Sequence, residues 1–212
     1  MGINLTRVVL VITLIQFITG ASCNKKDTSC LSTRDGYSFK VTSEWSPQQA
    51  TFNIGDTIFL TSSFSKSLVD QINQSLLIDY SNSVGIGGDI GFAAPDSALR
   101  VNKPARDSFK LIAIIGNFVE RANNRNQGIN NKYLESASAY EFKAAIVCEK
   151  KGQYAISVDD LKSRGINGKN CTSASFNMNV LNTQKNVGFY QSALGIILDT
   201  ESLKKIFCFK VQ

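Results

Sequence analysis

The residues able to do chemistry in this 212-residue chain are few, and none of them is histidine. That removes the usual base for a serine or cysteine nucleophile and the commonest transition-metal ligand. Carboxylates remain: Asp56, Asp79, Asp89, Glu135 and the pair Asp159-Asp160. Two acids at a suitable separation are enough for glycoside hydrolysis, so a secreted carboxylate-dependent hydrolase is one reading. The acids are nevertheless scattered as turn and surface residues are; Asp56, after Gly55, suits the cap of a turn. No catalytic residue is assigned. Asp159-Asp160 could lend oxygens to calcium, but no loop of alternating acids surrounds the pair, and no metal or other cofactor is expected.

Sulfur offers a second chemistry. The five cysteines are Cys23, Cys30, Cys148, Cys171 and Cys208, with no CxxC pair to suggest zinc. If Cys23 is committed elsewhere, four remain, an even number suited to disulfides in an oxidising compartment. Three pairings are open. We favour Cys148–Cys171, which closes a short loop, with Cys30–Cys208 tying the start of the domain to its last strand.

Binding is the third possibility. Sugar sites use exposed aromatics beside amides and charges, and Trp45, Tyr133 and the loop residues Asn124 and Arg125 are the candidates. The formal charge of +6 is spread along the chain without a basic run, so nucleic acid is not an expected partner. Asn73-Gln74-Ser75 and Asn170-Cys171-Thr172 match glycosylation sequons, which matter only in a eukaryotic host.

The elements that must position these residues read as strands. Tyr37, Phe39 and Val41 alternate, and Thr51 to Thr61 reads as strand, Gly55-Asp56 turn, strand. Between Ser65 and Tyr80 the pattern is mixed, giving a loop or short helix and then a strand. Val84, Ile86, Ile90 and Phe92 keep a period of two through glycines, a bulged strand ended by Ala93-Ala94-Pro95 rather than a phosphate loop. Ser108 to Val119 reads as a buried strand. Ala139–Cys148 and Tyr154–Val158 read as a hairpin across Glu149-Lys150-Lys151-Gly152. Asp159 to Gly165 suggests one helical turn. Phe176 to Asn182 and Leu203 to Val211 supply late strands, the last with Phe207, Phe209 and Val211 on one face and Ile206 and Cys208 on the other. Short strands without a sustained helix predict an all-β antiparallel sandwich in one domain.

The N-terminus reads as an address. Arg7 precedes the apolar run Val8 to Ile18, which gives way to Thr19-Gly20-Ala21-Ser22. That order is a secretory signal, and the run is shorter than the roughly 20 residues a spanning helix needs. Gly20-Ala21-Ser22-Cys23-Asn24-Lys25-Lys26-Asp27 resembles a bacterial lipoprotein signal, with Gly20 standing where an aliphatic residue is more usual. The polar tail after the cysteine is similar to those of Bacteroidota-type lipoproteins. The resemblance implies that Cys23 is lipidated and that the chain is cut just before it. Simple secretion, with Cys23 left to a disulfide, is the alternative.

Phe52-Asn53-Ile54-Gly55-Asp56-Thr57-Ile58 is similar to the start of a strand in immunoglobulin-like modules of bacterial surface proteins. Together these likenesses imply a signal peptide at 1–22, a lipidated cysteine and tether at 23–35, and an immunoglobulin-like β-sandwich at 36–212. They imply a protein held by lipid at the outer membrane or in the periplasm. Its expected role is a non-enzymatic binding or structural module whose partner is a glycan or an envelope protein.

Overall fold

Alternation of apolar and polar residues builds most of the strands, because a period of two places successive side chains on opposite faces of a sheet. The computed structural model describes residues 36–212 apart from 75, 121–127, 168–171 and 182–185. The signal and tether, and with them Cys23, Cys30, Cys171, Asn124 and Arg125, lie outside the described residues. Asp35–Gln212 forms one compact unit.

In chain order the strands are β1 (Tyr37–Ser46), β2 (Thr51–Phe52), β3 (Thr57–Ser65), β4 (Ser67–Val69), β5 (Leu77–Asp79), β6 (Gly87–Asp96), β7 (Val101–Pro104) and β8 (Phe109–Ile115). They continue with β9 (Asn117–Val119), β10 (Gly128–Lys132), β11 (Leu134–Glu135), β12 (Ala139–Cys148), β13 (Gly152–Val158), β14 (Leu161–Ser163), β15 (Ala174–Leu181) and β16 (Ile206–Val211). The main ladder runs β11-β12-β3-β1-β15-β14-β6-β13-β16-β2. On its other side β12 pairs with β8, and β10 pairs with both β6 and β9. Since β8 and β9 are separated only by Gly116, the ladder also closes through β12, β8, β9, β10 and β6.

The result is an all-β, mostly antiparallel sandwich, as the strand pattern predicts. Its two parallel pairs are β1 with β15 and β16 with β2. Aromatic side chains from the two layers meet in the core: Trp45 of β1 stacks on Phe207 of β16 at 5.3 Å, and Phe109 of β8 meets Tyr154 of β13 at 4.9 Å. β14 turns one corner between the layers, pairing with β15 and, through Lys162, with Gly87 of β6.

Several local expectations are corrected. β12 and β13 are not a hairpin. β12 is occupied by β3 and β8, and β13 by β6 and β16, so the polar connection crosses between layers. The Tyr154 hydroxyl holds that crossing by donating toward the carbonyls of Lys150 and Lys151, at 3.0 and 3.1 Å. Within Asp159 to Gly165 lies strand β14 instead of a helical turn, because Leu161 and Ser163 alternate inward. Ser67–Val69 is a strand where a loop or short helix was expected, and it pairs with the expected strand Leu77–Asp79 as a separate two-stranded sheet. Ala93-Ala94-Pro95 does not end β6; these residues pair with β7. β8 is buried on one face only, leaving Ile112 and Ile114 exposed.

A helix also occurs that the sequence reading lacks, Val187–Leu194. Its Val187, Tyr190 and Leu194 pack with Ile206 and Cys208 as a small second cluster outside the main core.

Candidate functional site

Of the residues offered by the sequence for binding, the two aromatic ones are buried, while Asn124 and Arg125 lie outside the described residues. Trp45 is fully buried and Tyr133 is 7% exposed, packed between Phe64 and Phe142. Burial drives the Tyr133 hydroxyl well above its usual pKa. Neither ring is available to stack on a sugar. Cys148 and Cys208, expected as half-cystines, are free buried thiols packed in apolar surroundings. Burial pushes the first to about 11, with Asp56 adding to it, and the second to about 12.

The scattered acids divide into two groups. Asp56 accepts from the Asn53 amide at 2.7 Å, and Asp79 accepts from Ser81, so both close turns as their positions suggest. Burial raises Glu135, but the Asn82 N–H and Lys66 outweigh it and hold the carboxyl below its usual range. Asp89, Asp159 and Asp160 instead line one groove of about 1110 Å³ at the corner where β6, β10 and β14 converge.

The groove follows from strand register. Lys132 of β10 and Lys162 of β14 both stand opposite Gly87, one on each side of β6. Glycine is required there: a Cβ on Gly87 would sit 2.2 Å from the Asn131 carbonyl oxygen, and one on Gly88 would lie 3.0 Å from that of Asp160. The Gly88 N–H donates to Asn131 Oδ1 at 2.8 Å. That bond fixes the amide, and its Nδ2 is buried with no acceptor. Of the four buried polar side-chain atoms without a partner among the described residues, this one alone belongs to a groove residue.

Charge is unevenly placed along the groove. At one end Asp159 lies beside Asp89, its N–H donating to the Asp89 carbonyl at 2.9 Å. Asp160 there is engaged twice, accepting from the Met178 N–H at 2.8 Å and pairing with Lys205 at 2.7 Å. At the other end Lys132, Lys162 and Arg164 gather around Val84 to Gly87, and among the described residues none of the three has a carboxylate partner. Among the described residues, Val84 and Val119 are the only apolar side chains larger than methyl in the lining, and none is aromatic. Such a groove suits a flexible, oxygen-rich ligand held by hydrogen bonds and charge.

A retaining or inverting glycosidase needs one carboxyl raised to serve as acid. Among the described residues, Asp79, Asp96, Glu135 and Asp199 are held below the usual carboxylate range by the hydrogen bonds they accept. Sequence reasoning missed Asn131, Lys132, Lys162 and Arg164, because register rather than sequence spacing assembles them. The signal that pointed here was Gly87-Gly88, since a glycine pair within a strand marks close backbone approach.

Fold and groove together define a β-sandwich with a polar cleft at one corner. No protein-family model matches the chain, and no curated protein matches it in sequence. Among solved structures it is similar to the type II cohesin dyad of the ScaA scaffoldin of Acetivibrio cellulolyticus, at 9% identity and a TM-score of 0.32. That match covers 67% of this chain and 46% of the dyad, so the chain spans less than half of that protein's length. It is also similar to the second type II cohesin module of the same scaffoldin (10% identity, TM-score 0.27, 61% of this chain and 78% of that one). The CupB6 tip adhesin of Pseudomonas aeruginosa matches at 12% identity and a TM-score of 0.18, over 70% of this chain and 43% of its own. At these scores the likeness defines no family, and the fold rests on the strand pairing itself.

Proposed function

We propose that this protein is a non-enzymatic binding module of a bacterial cell envelope, held by lipid on Cys23 and taking its ligand in the groove between β6, β10 and β14. The observation that carries the binding reading is an open polar cleft in which Lys132, Lys162 and Arg164 gather at one end with no carboxylate partner among the described residues. The lipid reading is supported by the order of cation, apolar run and small residues before Cys23. Several acyl chains on one cysteine anchor firmly, because each buried methylene contributes about 0.8 kcal/mol.

Two measurements test this reading. Intact mass of the mature protein should show an acylated N-terminal cysteine, and an unmodified N-terminus overturns the anchor. Equilibrium binding against soluble oligosaccharides and peptides should find a ligand lost in a Lys132→Glu, Lys162→Glu variant that still folds. Binding that survives that change moves the site elsewhere, and release of reducing ends from a bound oligosaccharide rejects the non-enzymatic reading.

A further inference from the structure

We infer that a hollow between β7 and the helix Val187–Leu194 is a second binding site, separate from the groove, and that it takes one neutral sugar ring. Four small residues make its floor. Gly91 and Ala93 of β6 stand in register with Ser157 and Ala155 of β13, while the alternate residues Ile90, Phe92 and Ile156 point into the main core. Larger side chains rise around that floor. Ile206 of β16 stands opposite Ser157, Pro104 of β7 stands opposite Ala93, and Tyr190 of the helix, 5% exposed, closes the side between them. The difference in height leaves a space of about 290 Å³. That is near the lower limit of ligand pockets, roughly 300 Å³, and suits one ring rather than a chain.

The polar groups of the hollow set the chemistry of its ligand. Ser157 Oγ lies over Gly91, where a Cβ would sit 2.6 Å from it, and among the described residues this hydroxyl has no hydrogen-bond partner. Asn102 Nδ2 donates to the Tyr190 hydroxyl at 2.7 Å. That bond fixes both side chains and leaves the Tyr190 proton and Asn102 Oδ1 without partners among the described residues. Lys103, the charged residue of the lining, is paired with Asp96. An anion therefore finds no free cation here, and an apolar ring would cover two hydroxyls and an amide oxygen without satisfying them. A pyranose carries hydroxyls along its edge and C–H groups on its faces, so it meets both the polar groups and the walls of Ile206, Pro104 and Tyr190.

The test is calorimetric and NMR titration of the purified protein with glucose, galactose and their methyl glycosides, beside glucuronate and phenol as a charged and an apolar ring of like size. At least one neutral sugar should bind, and should weaken about three- to tenfold in Ser157→Ala and in Tyr190→Phe, each the loss of one hydrogen bond. Gly91→Ala should weaken it as well, by displacing the Ser157 hydroxyl while every polar group is kept. Thermal melts check that the three variants fold. A methyl glycoside that binds as its free sugar does marks the end of a glycan chain as the source, and one that is excluded marks the free sugar. The same sugar should bind undiminished in the Lys132→Glu, Lys162→Glu variant, so that a sugar retained there and weakened in Ser157→Ala sits in the hollow and leaves the groove to be judged on other ligands. Loss in the lysine variant alone overturns the hollow in favour of the groove. Tighter binding of phenol or of glucuronate overturns the neutral sugar, and failure of all four neutral sugars overturns the site.

Discussion

At the scale of single residues, Trp45 shows how one reading of a side chain can be outweighed by its neighbours. As the sole tryptophan it invites a role in sugar stacking, yet it continues the alternation Phe39, Val41, Ser43, all three buried. The pattern that reveals the strand also turns Trp45 inward, where it stacks on Phe207. Truncation therefore removes core, not ligand surface. Trp45→Ala should cost about 3–5 kcal/mol, read as a large fall in the thermal unfolding midpoint, while any folded fraction binds as the parent does. A midpoint within a few degrees of the parent would show that the ring does not carry the core. Asn131 is the opposite case. Nothing local marks it, because its role depends on Gly88, which is 43 residues away in the chain.

At the scale of elements, strand existence was legible and strand partnership was not. Apolar alternation locates β1, β3, β15 and β16 closely, since each residue reports which face it occupies. Pairing depends on distant edges, so the connection between β12 and β13 read as a hairpin when both edges of each strand were taken elsewhere. Gly116 illustrates a device that only the assembled fold explains. It adopts φ +78, and a Cβ there would meet the Lys132 carbonyl oxygen at 2.4 Å and Phe142 Cδ2 at 2.9 Å. It thus lets β8 bend into β9 while β10 and β12 crowd against the bend. Gly55, at φ +92, has open space around its Cβ direction. Gly55→Ala should therefore show only the conformational cost, about 1–3 kcal/mol, whereas Gly116→Ala adds a steric clash. The denaturant midpoint of Gly116→Ala should fall well below that of Gly55→Ala, and equal midpoints would show that the bend relaxes freely.

At the scale of the whole molecule, one closed ladder around a single main core couples the buried acids to global folding. Cys148 and Cys208 are displaced by burial from the ordinary thiol value near 9 to about 11 and about 12. Burial likewise pushes Tyr140 to about 12, where its hydroxyl donates to the Tyr80 carbonyl at 2.7 Å. Each group holds its proton more tightly folded than unfolded. Between the unfolded and folded pKa values the native state binds more protons, so stability falls as pH rises. The contribution is intact below about pH 9 for the thiols and pH 10 for the tyrosine, and it is lost through pH 12, at on the order of 1.4 kcal/mol per pKa unit for each group. Urea midpoints measured from pH 8 to 12 should therefore stay level and then decline steeply, with thiol-specific reagents leaving Cys148 and Cys208 unmodified until that decline begins. Cys208→Val keeps the volume and removes the proton, so its decline should be shallower than the parent's. A parallel decline in that variant, or labelling of both thiols at pH 8 in the folded protein, would show that the buried groups ionise without opening the core.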